Sequence, residues 1–218
     1  EGFMTPEEVA ECEVEIERLH SLAAGLATDD SRRGSFQLEP YADPSVSEAR
    51  PVLRKIERTR QYSDIFRDLA AHPTLIATVR ELLGDDLLLY RSTLMLKPAH
   101  HGSAHAFHQD SAYWPMDPPS LVTVSIPLTE STPENGCIQV IPESHKWGMQ
   151  EWGHIAQDRD RPLTERDDID LSNVKSVPLK AGSALMFHSF FVHGSGSNDS
   201  PKPRHTALYA YFPPTVRY

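Results

Sequence analysis

The N-terminal part of the chain has the hydrophobic periodicity of an amphipathic helix. The segment Thr5-Pro6-Glu7-Glu8 is typical of a helix start, because its threonine can cap, its proline suits the first turn and its second glutamate completes a capping box. Apolar residues then recur at helical spacing to about Leu26. The next stretch, 28–52, is rich in Asp, Ser, Pro and Arg, and we interpret it as an excursion over the surface.

Two more helices are predicted before the first clear strand. They cover about 62–71 and 73–83, with Pro73 near the start of the second helix and Gly84 as its stop signal. Residues 1–84 are therefore predicted to form a mainly helical layer.

After Gly84 the pattern changes to short, partly alternating segments rich in β-formers. Pro, Gly, Asn and Ser separate them, as expected of strands joined by turns. A helical layer followed by many short strands predicts helices packed on a β-sandwich, a jelly-roll-like barrel, with 1–218 as one domain. The polar stretch 143–172 is predicted to be a long loop of the kind that often covers an active site. The predicted strands are 87–97, 121–128, 138–141, 174–179, 184–188 and 206–212.

Composition limits the class of partner. Of the 218 residues, 39% are hydrophobic and 24% charged, which suits a soluble globular protein with a substantial core. The formal net charge of −10 leaves no basic stripe for phosphates, so we expect no nucleic-acid partner. No apolar run is long enough for a membrane helix, and Cys12 and Cys137 are expected to be free thiols. We expect a cytoplasmic monomer or homodimer that acts on a small molecule and has no membrane partner.

The most informative chemical pattern is His108-Gln109-Asp110 combined with His193 far downstream. Two imidazoles and one carboxylate can occupy one face of an Fe(II) ion and leave its other positions open. On an extended strand the side chains of His108 and Asp110 point to the same side, and His193 from a distant strand would complete the face. The triplet alone is weak evidence, because 11 His and 15 Asp in 218 residues give roughly one such triplet by chance.

An arginine follows the second histidine at a suggestive distance. Arg204 lies 11 positions after His193, across the turn 197–201. A hairpin there would return the arginine to the metal. Its planar guanidinium, together with the Ser195 hydroxyl, would then bind a carboxylate through charge-assisted hydrogen bonds. The pattern predicts a clamp for the far end of a dicarboxylate co-substrate.

Three longer segments resemble those of a known family. They are HQDSAYW (108–114), ENGCIQVIPESHKWG (134–148) and HGSGSNDSPKPRHTALYAYF (193–212). In order and spacing they resemble the phytanoyl-CoA dioxygenase family of Fe(II)- and 2-oxoglutarate-dependent oxygenases, over nearly the whole chain. The resemblance implies a double-stranded β-helix core flanked by α-helices. It further implies an enzyme that uses O2, releases succinate and CO2 from 2-oxoglutarate, and hydroxylates a small metabolite or natural-product intermediate.

The resemblance assigns His108, Asp110 and His193 as the iron ligands. The aspartate also bears on the reaction type, because related halogenases carry glycine or alanine at that position and so leave room for chloride. The resemblance therefore implies that this chain oxygenates its substrate rather than halogenating it.

The resemblance also implies a set of residues that hold the co-substrate. Arg204 and Ser195 would bind the distal carboxylate of 2-oxoglutarate. Lys55 and Thr93 are similar in position to family residues that touch it. Thr93 and Ile126 stand where some members carry methionine and tryptophan, so the packing around the co-substrate departs from that of those members.

Four residues are candidates for the substrate pocket, each with a structural alternative. Tyr113 and Trp114 follow Asp110 directly and either border the substrate or pack in the core. Gln139 lies on a predicted strand and either faces the pocket or is solvated. Arg91 is unusual on a mostly apolar strand, so it either faces outwards or binds an anionic group.

Other functions stay open on the sequence alone. A zinc site could be built from the histidines that precede Asp110, and a zinc-dependent hydrolase would then work without O2 and 2-oxoglutarate. A non-catalytic module that binds metal and 2-oxoglutarate is a second alternative, although a complete set of ligands with the arginine argues for turnover. The histidines of the first alternative are His100, His101, His105 and His108.

Overall fold

The computed structural model describes residues 2–40, 51–114, 116–152 and 168–218. Its helices are α1 (Pro6–Ala24), α2 (Asp64–Ala70) and α3 (Pro73–Leu83). The predicted capping box is present, because the Thr5 hydroxyl accepts from the backbone of Glu8 and the Glu8 carboxylate accepts from that of Thr5. None of the helices in these residues is long and apolar enough to cross a membrane.

In the described part of the chain, ten strands form two sheets that face each other. The larger sheet has the order β1-β2-β3-β10-β5-β8, and the smaller has the order β4-β9-β6-β7. All of the pairings are antiparallel. The strands are β1 (Phe36–Leu38), β2 (Leu53–Glu57), β3 (Leu88–Lys97), β4 (His105–His108), β5 (Val122–Pro127), β6 (Ile138–Val140), β7 (Lys175–Ser176), β8 (Leu185–His188), β9 (His193–Ser195) and β10 (Arg204–Phe212).

The main core lies between the helices and the outer face of the large sheet. Leu94 and Ile126 from the sheet and Ile16 from α1 are fully buried in it. The hydroxyl of Tyr209 donates to the Phe66 carbonyl of α2, which satisfies the one polar atom of that buried ring. Because side chains alternate along a strand, the other face of β3 and β10 turns towards the small sheet. The predicted fold class, a β-helix core with flanking helices, is confirmed.

Two features of the strands differ from the sequence prediction, and one predicted loop is described only in part. Strand β1 lies inside 28–52, which was predicted as surface excursion: Phe36 is buried and pairs with Ile56. Strands β4 and β9 are too short to show a periodicity of their own. Part of the predicted loop 143–172, residues 153–167, lies outside the described residues.

The segment after β9 is a crossover between the two sheets and not a hairpin. Asn198 is fully buried there, and its Nδ2 donates to the carbonyls of Lys97, Pro98 and Lys202. Because β9 belongs to the small sheet and β10 to the large one, this amide fixes where the chain enters β10. Arg204, the first residue of β10, is thereby placed on the opposite wall from His193.

Candidate metal centre

A cavity lies between the two sheets and receives residues from both. Counted together with its open mouth, it encloses about 870 Å³. The large sheet contributes the inward face of β3 and β10, and the small sheet contributes β4 and β9. The charged and metal-ligating residues of the lining are Lys55, Arg91, His105, His108, Asp110, His193 and Arg204.

Three potential metal ligands meet on the wall of this cavity. His108 ends β4 and lies directly opposite His193, which begins β9. The Nε2 atoms of the two imidazoles lie 3.7 and 3.9 Å from Oδ1 of Asp110. The sequence predicted that Asp110 lies on the same strand as His108. In the structure it instead begins a 3-10 turn (Asp110–Ala112) that follows β4. One ligand atom from each of the three buried residues lies within 4.8 Å of the others.

Backbone carbonyls fix the orientation of both imidazoles. Nδ1 of His108 lies 2.8 Å from the carbonyl oxygen of Ala106, and Nδ1 of His193 lies 2.9 Å from that of Phe191. A carbonyl oxygen can only accept, so each Nδ1 carries the proton and each Nε2 keeps its lone pair. Burial lowers the pKa of His193 to about 4, with a further contribution from His108. The His193 imidazole is therefore neutral near pH 7, as a metal ligand must be.

Asp110 is held in its ionised form with one oxygen free. Burial by itself raises the pKa of its carboxyl, but contacts with the two imidazoles and a hydrogen bond from Thr123 lower it below the usual range. The Thr123 hydroxyl donates to Oδ2 over 2.5 Å, which leaves Oδ1 directed at the histidines. The carboxylate thus has one oxygen for orientation and one for a metal.

The residue between the two ligands, Gln109, points away from the centre and is fully buried. Its Nε2 donates to the carbonyls of Gly148 and Phe190, while its Oε1 accepts from the backbone of Gln150 and the indole of Trp152. All four hydrogen-bonding positions of the amide are used. This network holds the short segment that carries His108 and Asp110.

Arg204 lies buried on the wall formed by the large sheet. Its Nη1 donates to the Gly136 carbonyl, but its Nε has no partner and, among the described residues, no carboxylate pairs with the guanidinium. Burial lowers its pKa to about 10. Gly136 itself has a φ of 74°, and a Cβ there would overlap the Gly196 backbone. A buried, unpaired guanidinium is costly unless an anion joins it.

Two of the other three residues predicted to hold the co-substrate, Ser195 and Lys55, also line the cavity. Ser195 is two positions after His193 on β9, so it shares that inward face. Lys55 on β2 lies 2.5 Å from a carboxylate oxygen of Glu57, and burial together with Arg91 lowers its pKa to about 8. The structure thus brings Ser195, Lys55 and Arg204 together with the metal ligands.

Thr93 and Ile126, the two positions that depart from some family members, do not line the cavity. Thr93 is buried beneath Arg91 and accepts a 3.0 Å hydrogen bond from its Nε. Ile126 is fully buried on the helix-facing side of β5. In this structure the Thr93 hydroxyl faces Arg91, and its predicted contact with a co-substrate stays a prediction.

Of the four predicted pocket residues, Arg91 and Trp114 line the cavity. The guanidinium carbon of Arg91 lies 5.5 Å from the centre of the Trp114 ring, a cation–π distance. Tyr113 packs edge-on against His108, with 5.3 Å between ring centres, and its buried hydroxyl has no partner among the described residues. Tyr113 thus packs on a ligand, whereas Trp114 borders the open space.

Gln139 is a correction to the sequence prediction, because it is not part of the cavity lining. Its neighbour Ile138 pairs with Ser195 and lines the cavity, whereas Gln139 pairs with Gly194. Directly paired residues share a face of a sheet, and consecutive residues alternate. The predicted strand was right, but its register puts the amide on the other side.

Three further residues matter that sequence reasoning missed. Lys97, opposite Arg204 in the sheet, is buried and donates to the carbonyls of Ser103 and Gly196 over 2.6 and 2.5 Å. Burial, and then Arg204, lowers its pKa to about 7. Alternation along β3 from Arg91 would have found it. Thr123, a polar residue on the mostly apolar strand β5, could likewise have been recognised as a residue that faces the cavity.

The third missed residue is Arg54, which binds one of the histidines from the predicted zinc alternative. Its Nη2 lies 3.3 Å from Nδ1 of His105, so His105 accepts there and lines the cavity as a neutral ring. His100 and His101 lie in the turn after β3. In the described residues, the group with metal-ligand geometry is the one formed by His108, Asp110 and His193.

Iron(II) and 2-oxoglutarate both fit these residues. Two imidazoles with free Nε2 atoms and one carboxylate form the donor set of non-haem iron sites that leave positions open. The unpaired Nε of buried Arg204 is the kind of group that a carboxylate satisfies. The metal donors and the arginine face the same cavity from opposite walls.

Comparisons with known proteins agree with this geometry. The sequence model of the phytanoyl-CoA dioxygenase family matches residues 1–206. An ectoine dioxygenase of Nocardia farcinica is 28% identical over 94% of this chain and 70% of its own length. An L-proline trans-4-hydroxylase of Streptomyces griseoviridis is 28% identical over 76% of this chain and 69% of its own.

Solved structures give the same result. Two crystal structures of EctD from S. alaskensis, one with bound Fe and one with 2-oxoglutarate and 5-hydroxyectoine, superpose with a TM-score of 0.74 at 25% identity. Each covers 98% of this chain, which spans 71% and 70% of those chains. The predicted family is confirmed by these matches. The chain belongs to the phytanoyl-CoA dioxygenase family of iron(II)- and 2-oxoglutarate-dependent oxygenases.

Proposed function

We propose that this chain hydroxylates a small organic molecule, using O2 and 2-oxoglutarate and releasing succinate and CO2. One observation carries the proposal: three correctly oriented metal donors and a buried, unpaired arginine face the same cavity. Asp110 supports oxygenation over halogenation, because its carboxylate fills the position that a chloride would need. The predicted single domain 1–218, its cytoplasmic location and its monomeric or dimeric state stay predictions.

His108, Asp110 and His193 are proposed to hold the iron. When bound, iron with 2-oxoglutarate supplies the oxidising chemistry that activates O2. The task of the protein is orientation. The carbonyls of Ala106 and Phe191 keep the imidazoles in one tautomer, and Thr123 holds the carboxylate. The three ligands therefore have the orientation and protonation that a metal needs before it binds.

Arg204 and Ser195 are proposed to bind the distal carboxylate of 2-oxoglutarate. The guanidinium is already pinned by Gly136, so little rotamer freedom is lost when the co-substrate binds. Lys55 lies on the same side of the cavity but is paired with Glu57, so we assign it a secondary role. The contact predicted for Thr93 stays a prediction.

The substrate is proposed to be a small polar metabolite. Arg91 and Trp114 border the space that the co-substrate clamp leaves, and Phe187 and Leu208 supply apolar walls that exclude water. Relatives named for ectoine and for L-proline act on compact polar molecules, which supports this size class.

Anaerobic spectroscopy tests the proposal. Protein loaded with Fe(II) and 2-oxoglutarate should show the weak visible metal-to-ligand charge-transfer band, and H108A, D110A and H193A should each lose it. H100A, in the turn after β3, is the matched control and should keep the band. A band that persists in all three ligand variants would show that the ligand assignment is wrong.

Turnover separates the proposal from its alternatives. Loaded protein exposed to O2 should form succinate slowly even without a substrate. A binding module would form none with any substrate, and a zinc hydrolase would act under strict anaerobiosis without 2-oxoglutarate. Either result would overturn the oxygenase assignment for this chain.

A further inference from the structure

One cation in the cavity has no function in the proposed iron and co-substrate site. Arg91 lies on β3 opposite Ala210, and both line the cavity. Its Nε donates to Thr93, and its guanidinium carbon stands 5.5 Å from the Trp114 ring. Among the described residues neither of its Nη atoms makes a hydrogen bond or an ion pair. Thr93 therefore holds the guanidinium at Nε and Trp114 covers one of its faces, while the two Nη atoms are open to the cavity.

The balance of charge isolates the same residue. When iron and 2-oxoglutarate are bound, the charges of the metal, Asp110, the two co-substrate carboxylates and Arg204 cancel. Lys55 is balanced by Glu57, 2.5 Å away. The histidines of the lining add no charge: His108 and His193 would bind iron as neutral imidazoles through Nε2, and Nδ1 of His105 accepts from Arg54. Arg91 is then the one charge of the described lining without a counter-charge.

An uncompensated cation in such a pocket has consequences for binding. A cation–π contact contributes roughly 0.5–2 kcal/mol and does not replace the water that a guanidinium loses on burial. Neutral ligands would cover Arg91 without satisfying its Nη groups. A ligand with an anionic group would satisfy them by charge-assisted hydrogen bonds, two at once if that group is planar.

We propose that Arg91 binds a carboxylate of the substrate and that this enzyme selects small carboxylates over their neutral analogues. The inference rests on the proposed function, since iron and 2-oxoglutarate enter the balance of charge. Thr93 acts as a positioning residue, because its hydroxyl fixes the Nε edge and leaves the Nη edge for the ligand. A phosphate would use the same chemistry, but a carboxylate matches the planar edge left exposed beside Trp114.

Equilibrium binding to loaded protein in the absence of O2 tests this inference without turnover. The probes are matched pairs that differ in charge alone: N-acetyl-L-proline with its primary amide, phenylacetate with phenylacetamide, and benzoate with benzamide. Phenyl phosphate is included as a phosphate arm. Saturating 2-oxoglutarate keeps Arg204 occupied, and affinity is measured by calorimetry and by perturbation of the charge-transfer band.

In the wild-type protein at least one carboxylate should bind about tenfold or more tightly than its amide, a margin of about 1.4 kcal/mol. R91Q should reduce that ratio to within about twofold, and R91K should keep most of it. R67Q, at an exposed arginine on α2, is the matched control and should keep the full ratio. The ratio of carboxylate affinity to amide affinity is taken within each variant, so a change in how much iron or 2-oxoglutarate that variant binds affects both affinities equally.

Three results would overturn the inference. They are equal binding of every amide and its carboxylate, an R91Q ratio as large as that of the wild type, and a preference for phenyl phosphate over all carboxylates. The proposed function is judged separately, by the charge-transfer band and by succinate release without substrate. Normal values of both together with no carboxylate preference would reject the substrate class alone. Loss of the band in wild-type protein would reject the function instead.

Discussion

The two sheets that enclose the cavity differ in length, in support and in what they carry. In the large sheet, β3 and β10 are ten and nine residues long, and their outer faces pack on the helices. In the small sheet the strands have two to four residues. Yet His108 and His193 lie on the small sheet, while Arg204 and Arg91 lie on the large one. Metal ligands and anion-binding groups are therefore supported by different means.

The difference teaches how each wall gains its rigidity. The large sheet is held by long ladders and by apolar burial, so its inward cations are placed on a stable base. The small sheet has too few residues for that, and its ligands are fixed by individual bonds instead, such as the carbonyl contacts of the two imidazoles and the network of Gln109. We therefore expect stability and chemistry to separate between the walls.

Removing a metal ligand should give the largest effect and should leave the fold intact. For D110A and H193A we expect succinate release to fall by about 10³-fold or more, since the metal supplies several kcal/mol of transition-state stabilisation. The melting temperature without metal should change little, because both residues belong to the weakly packed wall. H100A is the control; a loss of folding in D110A would contradict the separation.

Truncation in the core of the large sheet should do the opposite. Leu94 is fully buried on the helix-facing side of β3, so L94A should lower the free energy of unfolding by about 2–5 kcal/mol. The folded fraction should still form the charge-transfer band. Urea unfolding measures the first value, and L88A, at an exposed position of the same strand, should cost far less. Equal losses in both variants would contradict this account of the core.

Replacing Arg204 should separate stability from co-substrate binding within the large sheet. R204M removes a buried guanidinium without a partner carboxylate, so the protein without ligands should melt at a higher temperature. The KM for 2-oxoglutarate should rise about 10–100-fold, because charge-assisted bonds to the carboxylate are lost. R204K keeps the positive charge but loses the planar guanidinium, so its KM for 2-oxoglutarate should lie between those of the wild type and R204M. A lower melting temperature in R204M would show that the guanidinium stabilises the empty protein.

A variant of Thr123 tests whether a hydrogen bond from the large sheet orients Asp110, the carboxylate ligand. T123V keeps the shape but removes the donor to Asp110, so the affinity for iron should fall about tenfold. T123S keeps a hydroxyl and should restore most of the affinity. Competition with a metal chelator measures both variants. An unchanged affinity in T123V would show that the aspartate is oriented without this bond.

A further prediction concerns Lys97, whose burial weakens the large sheet at neutral pH. Its pKa is about 7 in the folded protein, against an ordinary value of 10.5 when unfolded. Between these values the unfolded chain binds more protons, so stability should rise with pH from 7 upwards, by at most about 1.4 kcal/mol per unit. K97M should show a flatter profile between pH 7 and 9. Parallel profiles for the two proteins would contradict the lowered pKa.

Much of this molecule was predictable because local patterns determine it. The capping box at Thr5 and the stop at Gly84 fixed helix ends, and alternation after residue 84 indicated the strand-rich core. Three motifs carried the resemblance to the family, that resemblance implied the cofactors, and the comparisons confirm both. The hydrophobic pattern did not indicate the short strands β4 and β9, since three or four residues carry no periodicity; they were expected from the metal-ligand motif alone.

The sequence predictions were wrong where the pairing of strands, and not the pattern along the chain, decides the direction of a side chain. Gln139 lies on a correctly predicted strand, but its register with β9 turns it away from the cavity. The turn after His193 resembled a hairpin, yet the buried Asn198 carries the chain across to the other sheet. Lys97 and Thr123 became visible as site residues when their contacts across the sheets were known.

The sequence by itself determined the types of ligand, the family and the layered fold, because these depend on residue identity and on spacing along the chain. The tertiary structure alone decided which atoms face the cavity. Strand register sets the face of each side chain, and a change of one residue reverses it. Charge balance also depends on three-dimensional distance: Lys55 is matched by Glu57, whereas Arg91 is left for a ligand.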